Sequence, residues 1–140
     1  MASADVGWAC DTSVAVASLD PTHRAHAVCR QALVDRRPAL AGHAAFETYS
    51  VLTRLPVPLR LSGPQATEVL AAAFPEPCWL DQRSTGELLA QLGALNLVGG
   101  SVYDALVGWA ARTARRRLLT RDGRAERTYR LLGVAHELLV

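Results

Sequence analysis

The chain has 140 residues, 50% of them hydrophobic, and a formal net charge of +2 at neutral pH. That is the size of one ordinary domain, able to bury roughly two thirds of its unfolded surface, and nothing in the composition points to disorder or low complexity. No apolar stretch approaches the roughly 20 residues of a bilayer span, and Met1 to Asp5 lack the basic leader of a signal peptide, so a soluble, cytoplasmic protein without membrane contact is expected.

Val6 to Cys10 is a short, mostly apolar first strand that runs into Asp11-Thr12-Ser13. Apolar residues continue to Leu19, and Asp20-Pro21-Thr22 stops that element. Thr22 is placed to cap a helix from His23 to about Arg36, with Ala25, Val28, Cys29, Ala32 and Leu33 at helical spacing, and Pro38 ends it. Ala39 to Gly42 is a second buried strand, and Ala44 to Leu55 a helix closed by Pro56 and Pro58. Gly63-Pro64 opens a helix through Phe74. Cys78-Trp79-Leu80 is a brief strand, and Ser84 or Thr85 begins a helix that ends near Leu95. Gly99-Gly100-Ser101 leads into a helix from Val102 to about Arg116, followed by a strand from Leu118 to Thr120. Arg124 to Leu132 is a helix and Val134 to Leu139 the last strand. Strands alternating with longer helices specify an α/β fold with a mainly parallel sheet. With no internal repeat and no linker, residues 1–140 form one domain.

In open parallel α/β sheets, ligands bind at the carboxyl ends of the strands. Asp11 ends the first strand, Asp122 follows Leu118 to Thr120, and Glu47 lies early in the helix that leaves the second strand. Asp104 reaches the same edge by arithmetic. From Asp104 to Arg115 a helix descends about 16 Å, and the strand from Arg117 to Asp122 climbs back about 16 Å. Each acid also has an ordinary structural explanation. Asp11 can cap the element after it, and Asp104 and Glu47 suit the first turn of a helix. Asp122 before Gly123 is common turn chemistry. Their convergence on one edge is what argues for a site. Four neighbouring carboxylates raise one another's pKa unless a cation neutralises them, and an all-oxygen site suits Mg²⁺ or Mn²⁺. Such an ion activates water and stabilises charge on a phosphodiester.

All fifteen basic residues are Arg, and eight of them fall between Arg112 and Arg130. A GC-rich genome explains the missing Lys but not the clustering. Arg suits phosphate, so Arg112 and Arg116 are candidates for an RNA-backbone surface; the alternative is a solvated stripe of helix-ending cations. Cys10, Cys29 and Cys78 are too widely spaced for a zinc site and are expected as buried free thiols. His23 and His26, three apart without a third ligand, are expected on the surface. Trp8 and Trp79 offer stacking surfaces for bases, whereas Trp109 shares a helix face with Val102 and Leu106 and belongs to the core. Val51, Leu52, Leu55 and Leu59 are surplus apolar residues of the front half, assigned to the core or to a partner groove.

Several segments in order resemble the PIN-domain ribonucleases, in particular the virulence-associated protein C (VapC) toxins of bacterial toxin–antitoxin pairs. They are Cys10-Asp11-Thr12-Ser13-Val14, Phe46-Glu47-Thr48 with Leu52-Thr53-Arg54-Leu55-Pro56, Gly100 to Leu106, Leu119-Thr120-Arg121-Asp122, and Tyr129 with Leu132-Gly133-Val134. Each alone is weak, but the ordered set spans nearly the whole chain. The resemblance implies a three-layer α/β/α fold around four or five parallel strands. It implies Mg²⁺- or Mn²⁺-dependent cleavage of RNA by activated water. It makes Asp11 and Asp104 the firmest metal ligands, with Glu47 and Asp122 completing the pocket and Thr120 positioning Asp122 or a water. It also implies a homodimer silenced by a small antitoxin that covers an apolar groove and plugs the acidic pocket.

Two other strand-end-acid folds are excluded by residue type. A phosphoacceptor receiver domain needs a Lys, and the chain has none; a haloacid-dehalogenase-like phosphatase needs Asp two residues after the first, where Ser13 stands. The remaining alternative is a PIN-like module that binds RNA or a protein without cutting.

Overall fold

A computed structural model describes residues 7–76 and 78–140. Val6, the expected start of the first strand, and Met1 to Asp5, expected to carry no signal peptide, lie outside the described residues. The four strands found among the described residues are β1 (Trp8–Cys10), β2 (Ala39–Leu40), β3 (Arg117–Thr120) and β4 (His136–Leu138). They form one all-parallel sheet in the order β2-β1-β3-β4. The helices are α1 (Thr12–Leu19), α2 (His26–Arg36), α3 (Ala44–Leu52), α4 (Gly63–Ala73), α5 (Gln82–Ala94), α6 (Ser101–Thr113) and α7 (Glu126–Leu131). They flank the sheet in the expected three-layer α/β/α arrangement.

The middle of the sheet is dry. Ala9 and Cys10 of β1 and Leu118 and Leu119 of β3 are fully buried, as expected of strands covered on both faces. Small residues let the helices lie close. A Cβ on Gly108 of α6 would come within 2.9 Å of Tyr129 Cδ1 on α7 and 3.1 Å of Val134 Cγ2. Gly42, between β2 and α3, has φ +48°, and a Cβ there would stand 2.9 Å from Ala110 Cβ. Trp109 is in the core, its indole N–H donating to Ser84 O at 3.1 Å, and all three cysteines are buried and unpaired.

Element limits differ from expectation where local hydrogen bonding wins. Thr22 does not cap α2. Its hydroxyl and N–H both donate to Asp20 Oδ1, at 2.7 and 2.9 Å, and α2 begins only at His26. His26 is half-buried rather than freely exposed, with its Nδ1 2.9 Å from Ala17 O. α3 stops at Leu52, three residues short of Leu55, because Pro56 removes the preceding residue from the helical region. α5 starts at Gln82, since Asp81 accepts the Ser84 N–H at 2.7 Å and acts as the cap. Cys78-Trp79-Leu80 is not a strand. The Cys78 carbonyl accepts Gly42 N–H, and its thiol reaches Ala110 O, so the segment is tied to a loop and a helix. α6 ends at Thr113, and Arg115, with φ +57°, turns the chain into β3.

Candidate active site

Asp11 follows the last residue of β1, and its carboxylate caps α1 by accepting Val14 N–H on Oδ1 at 3.3 Å. It is nearly inaccessible, which would disfavour a charge, but two hydroxyls compensate. Ser13 Oγ donates to Oδ1 at 2.5 Å and Tyr129 Oη to Oδ2 at 2.9 Å. Burial pushes the Asp11 carboxyl up, while the bonds from Ser13, Thr120, Tyr129 and Val14 pull it back. Ser13 Oγ also accepts Arg121 N–H at 2.8 Å, tying the start of α1 to the end of β3.

Asp122 lies two residues beyond β3. Its N–H donates to Thr120 Oγ1 at 3.0 Å, and its Oδ1 accepts Arg124 N–H at 3.0 Å. Thr120, itself fully buried, therefore shapes the loop that carries Asp122. Glu47 stands in the first turn of α3, with Oε1 3.9 Å from His43 Nε2. Partial burial raises its carboxyl, His43 opposes the rise and Asp11 adds to it. Asp104 is in the first turn of α6. Its pKa is pushed up to about 6, first by burial and then by the charges of Asp122, Asp11 and Glu47. The structure thus brings the four sequence-predicted acids within electrostatic reach at one edge of the sheet. Among the described residues, no three Asp, Glu, His or Cys side chains are close enough to form a ready-made cage for an ion.

Two arginines expected beside the acids are elsewhere. Arg112 is in the last turn of α6, about 12 Å along the helix axis from Asp104, and its guanidinium lies 4.9 Å from the Trp109 ring centroid. Arg116 precedes β3 at the opposite edge of the sheet. It donates to Trp8 O at 3.0 Å and to Glu76 Oε2 at 2.5 Å. Arg116 is thus engaged in the fold, whereas Arg112 is exposed and lies against the Trp109 ring. Between them and Arg121 runs β3, so the arginine-rich stretch is split across the sheet.

Sequence reasoning missed Tyr129 as a partner of Asp11. Its signal is general: a buried phenol needs a hydrogen-bond partner, and Tyr129 is 1% exposed. It also missed His43, whose ring stacks on Tyr103 with centroids 5.3 Å apart. Phe46, 5.7 Å from the Trp79 ring, continues the aromatic surface beyond Glu47. That surface opens into a groove of about 700 Å³ between α3 and α4, lined by Phe46, Tyr49, Leu70, Phe74 and Trp79. Of the surplus apolar residues, Leu52 is in the core and Val51, Leu55 and Leu59 are half-buried, none of them in the groove lining.

No protein-family model matches the chain. It is similar along most of its length to Ribonuclease VapC27 of Mycobacterium tuberculosis (strain ATCC 25618 / H37Rv), with 48% identity over 126 residues, 90% of this chain and 92% of the relative. Ribonuclease VapC40 of Mycobacterium tuberculosis, from strains CDC 1551 / Oshkosh and ATCC 25618 / H37Rv, is 44% identical over 131 residues, 92% of this chain and 96% of the relative.

Proposed function

The chain belongs to the VapC family of PIN-domain ribonucleases, and we propose that residues 1–140 act as one metal-dependent endoribonuclease domain, the toxin of a toxin–antitoxin pair. The observation that carries this reading is Asp104, whose carboxyl is raised to about 6, first by its burial and then by the three other carboxylates at the same sheet edge. Such a cluster is costly unless it serves a cation.

The donors fit a hard divalent ion, Mg²⁺ or Mn²⁺, because all are carboxylate oxygens. Mg²⁺ keeps several waters and takes one or two carboxylates, so a cluster without a ready-made cage suits it. Asp11 and Asp104 would hold the ion, and Glu47 and Asp122 would reach it directly or through water. Bound there, the ion would supply water activation and stabilisation of charge on the phosphodiester. The protein's own part is orientation. Ser13, Val14 and Tyr129 favour the ionised form of Asp11 against its burial and orient its carboxylate, and Thr120 holds the Asp122 loop. The groove between α3 and α4 is the surface that an antitoxin, or the second copy of a homodimer, would cover. No described helix is long and apolar enough to cross a membrane, and we assign the protein to the cytoplasm.

The test uses purified protein freed of any partner, structured RNAs, and Mg²⁺, Mn²⁺ or EDTA. Cleavage that needs the metal and disappears in Asp11→Asn and Asp104→Asn supports the reading. Equal cleavage by variants and wild type would overturn the site. Binding without cleavage of any RNA would favour the second reading, a catalytically silent module.

A further inference from the structure

Beyond Asp122, on the flank of the acid cluster, lies a polar pocket of about 470 Å³. Arg24, from the turn before α2, and Arg121 and Arg124, from the loop after β3, all line it. Among the described residues, none of these three guanidinium groups is in an ion pair; Asp122 is the only carboxylate on the pocket wall. Ion pairing does not set these arginines apart, since Arg36, Arg83 and Arg116 are the ones with acidic partners among the described residues; what does is that three of them line one pocket with a single carboxylate. Arg121 uses one N–H on Leu139 O at 3.1 Å, which anchors the side chain and leaves further donors. Arg24 and Arg124 are exposed.

Two more donors stand on the same wall. His23 Nδ1 accepts Ala25 N–H at 3.0 Å, so in the neutral ring Nε2 carries the hydrogen and is a donor. Thr12 Oγ1 is buried and has no hydrogen-bond partner, the only such side-chain atom among the described residues. Unsatisfied buried hydroxyls are uncommon, and each calls for an explanation. Thr12 also lines this pocket.

We propose that this pocket of Arg24, Arg121 and Arg124 binds a backbone phosphate of the RNA next to the one that is cut. The proposal rests on the ribonuclease reading and deepens it: Asp122 belongs to both the acid cluster and the pocket wall, so a strand lying across the acids presents a neighbouring phosphate to the arginines. Guanidinium forks match phosphate oxygens in geometry and charge. The Asp122 carboxylate opposes an anion, and a cation at the acid cluster would offset that. This surface lies at the other edge of the sheet from Arg112 and Arg116, the arginines proposed from sequence for the RNA backbone.

The experiment measures fluorescence anisotropy of a short labelled 2′-O-methyl oligoribonucleotide, which resists cleavage, over a range of salt in EDTA. Wild type is compared with Arg24→Ala/Arg124→Ala, with Arg24→Lys/Arg124→Lys, and with Arg112→Ala at the far edge. Loss of both arginines from this one phosphate should weaken binding roughly tenfold and flatten the slope of log Kd against log salt by about 0.7. The lysine pair should restore part of the slope, and Arg112→Ala should match wild type. Circular dichroism checks that the exposed double variant is folded. An unchanged slope in the alanine pair, an equal loss in Arg112→Ala, or no binding by wild type would each overturn the proposal. So would a double variant that keeps RNA affinity while losing affinity for a poly-glutamate peptide, which would mark the pocket as a protein-binding site. Cleavage by wild type with an unchanged slope rejects the pocket alone, whereas a pocket-dependent slope without cleavage under Mg²⁺ or Mn²⁺ rejects the enzymatic reading alone.

Discussion

Tyr129 of α7 donates its phenolic hydrogen to Asp11 Oδ2 at 2.9 Å, joining positions 118 residues apart in the chain. The bond favours the ionised form of Asp11 against the burial that disfavours it. Tyr129→Phe removes the donor and leaves the ring. Hydrogen bonds to charged groups contribute about 1.5–3 kcal/mol, so the variant should unfold at lower urea at neutral pH by a margin in that range. Because the lost bond had lowered the Asp11 pKa, the acid limb of RNA cleavage should move to higher pH. An unmoved limb with reduced stability would show that Tyr129 only packs.

Asp104 provides a pH signature in the metal-free protein. Its folded-state pKa, about 6, lies above the ordinary carboxylate value. A raised carboxyl pKa costs stability once the group ionises in the fold, and that cost vanishes below the unfolded pKa. In EDTA, Asp104→Asn should therefore have a higher Tm than wild type above pH 6. The gap should close as pH falls through 6 and towards 4, near the unfolded carboxylate pKa of about 3.9. Added Mg²⁺ or Mn²⁺ should raise the wild-type Tm and leave the variant nearly unmoved. A pH-independent difference would contradict the raised pKa of Asp104.

Gly108→Ala tests the closeness of α6 and α7. The new methyl would meet Tyr129 Cδ1 at 2.9 Å, and overpacking of this kind costs about 1–3 kcal/mol. If the ring yields, its hydroxyl leaves Asp11, so the variant should also show the acid-limb shift of Tyr129→Phe. Thermal unfolding and a pH profile of cleavage separate the two effects.

Arg116→Ala should destabilise without touching RNA. The side chain donates to Trp8 O and Glu76 at the edge away from the acids, and loss of this bridge should cost about 1–2 kcal/mol by urea unfolding. RNA affinity and its salt slope should stay at wild-type values.

The acids were legible because each sits at a strand end or in a first helical turn, and local pattern is enough to place such positions. The α3 and α4 starts were legible for the same reason, Gly63-Pro64 marking one of them. What could not be read was anything that depends on which distant groups face each other. The Tyr129–Asp11 bond is one example, and the fate of the arginines is another. Arg112 to Arg124 form one run in sequence, but β3 carries the chain across the sheet, placing Arg116 and Arg121 at opposite edges. Cys78-Trp79-Leu80 has strand-like composition, yet its carbonyl and thiol are taken by Gly42 and Ala110. Thr22 likewise has the residue type of a cap, but Asp20 engages it first.

The strand order β2-β1-β3-β4 sets when the acid cluster can exist during synthesis. β1 and β2 leave the ribosome early, yet β1 obtains its second neighbour only when β3 arrives, far along the chain. Asp122 follows β3, and Tyr129, which steadies Asp11, comes later still. Domains form from the N-terminus as the chain emerges, but a chain that stops short of β3 lacks Asp122 and the second neighbour of β1. The four acids can therefore come together only after β3 has emerged and paired with β1.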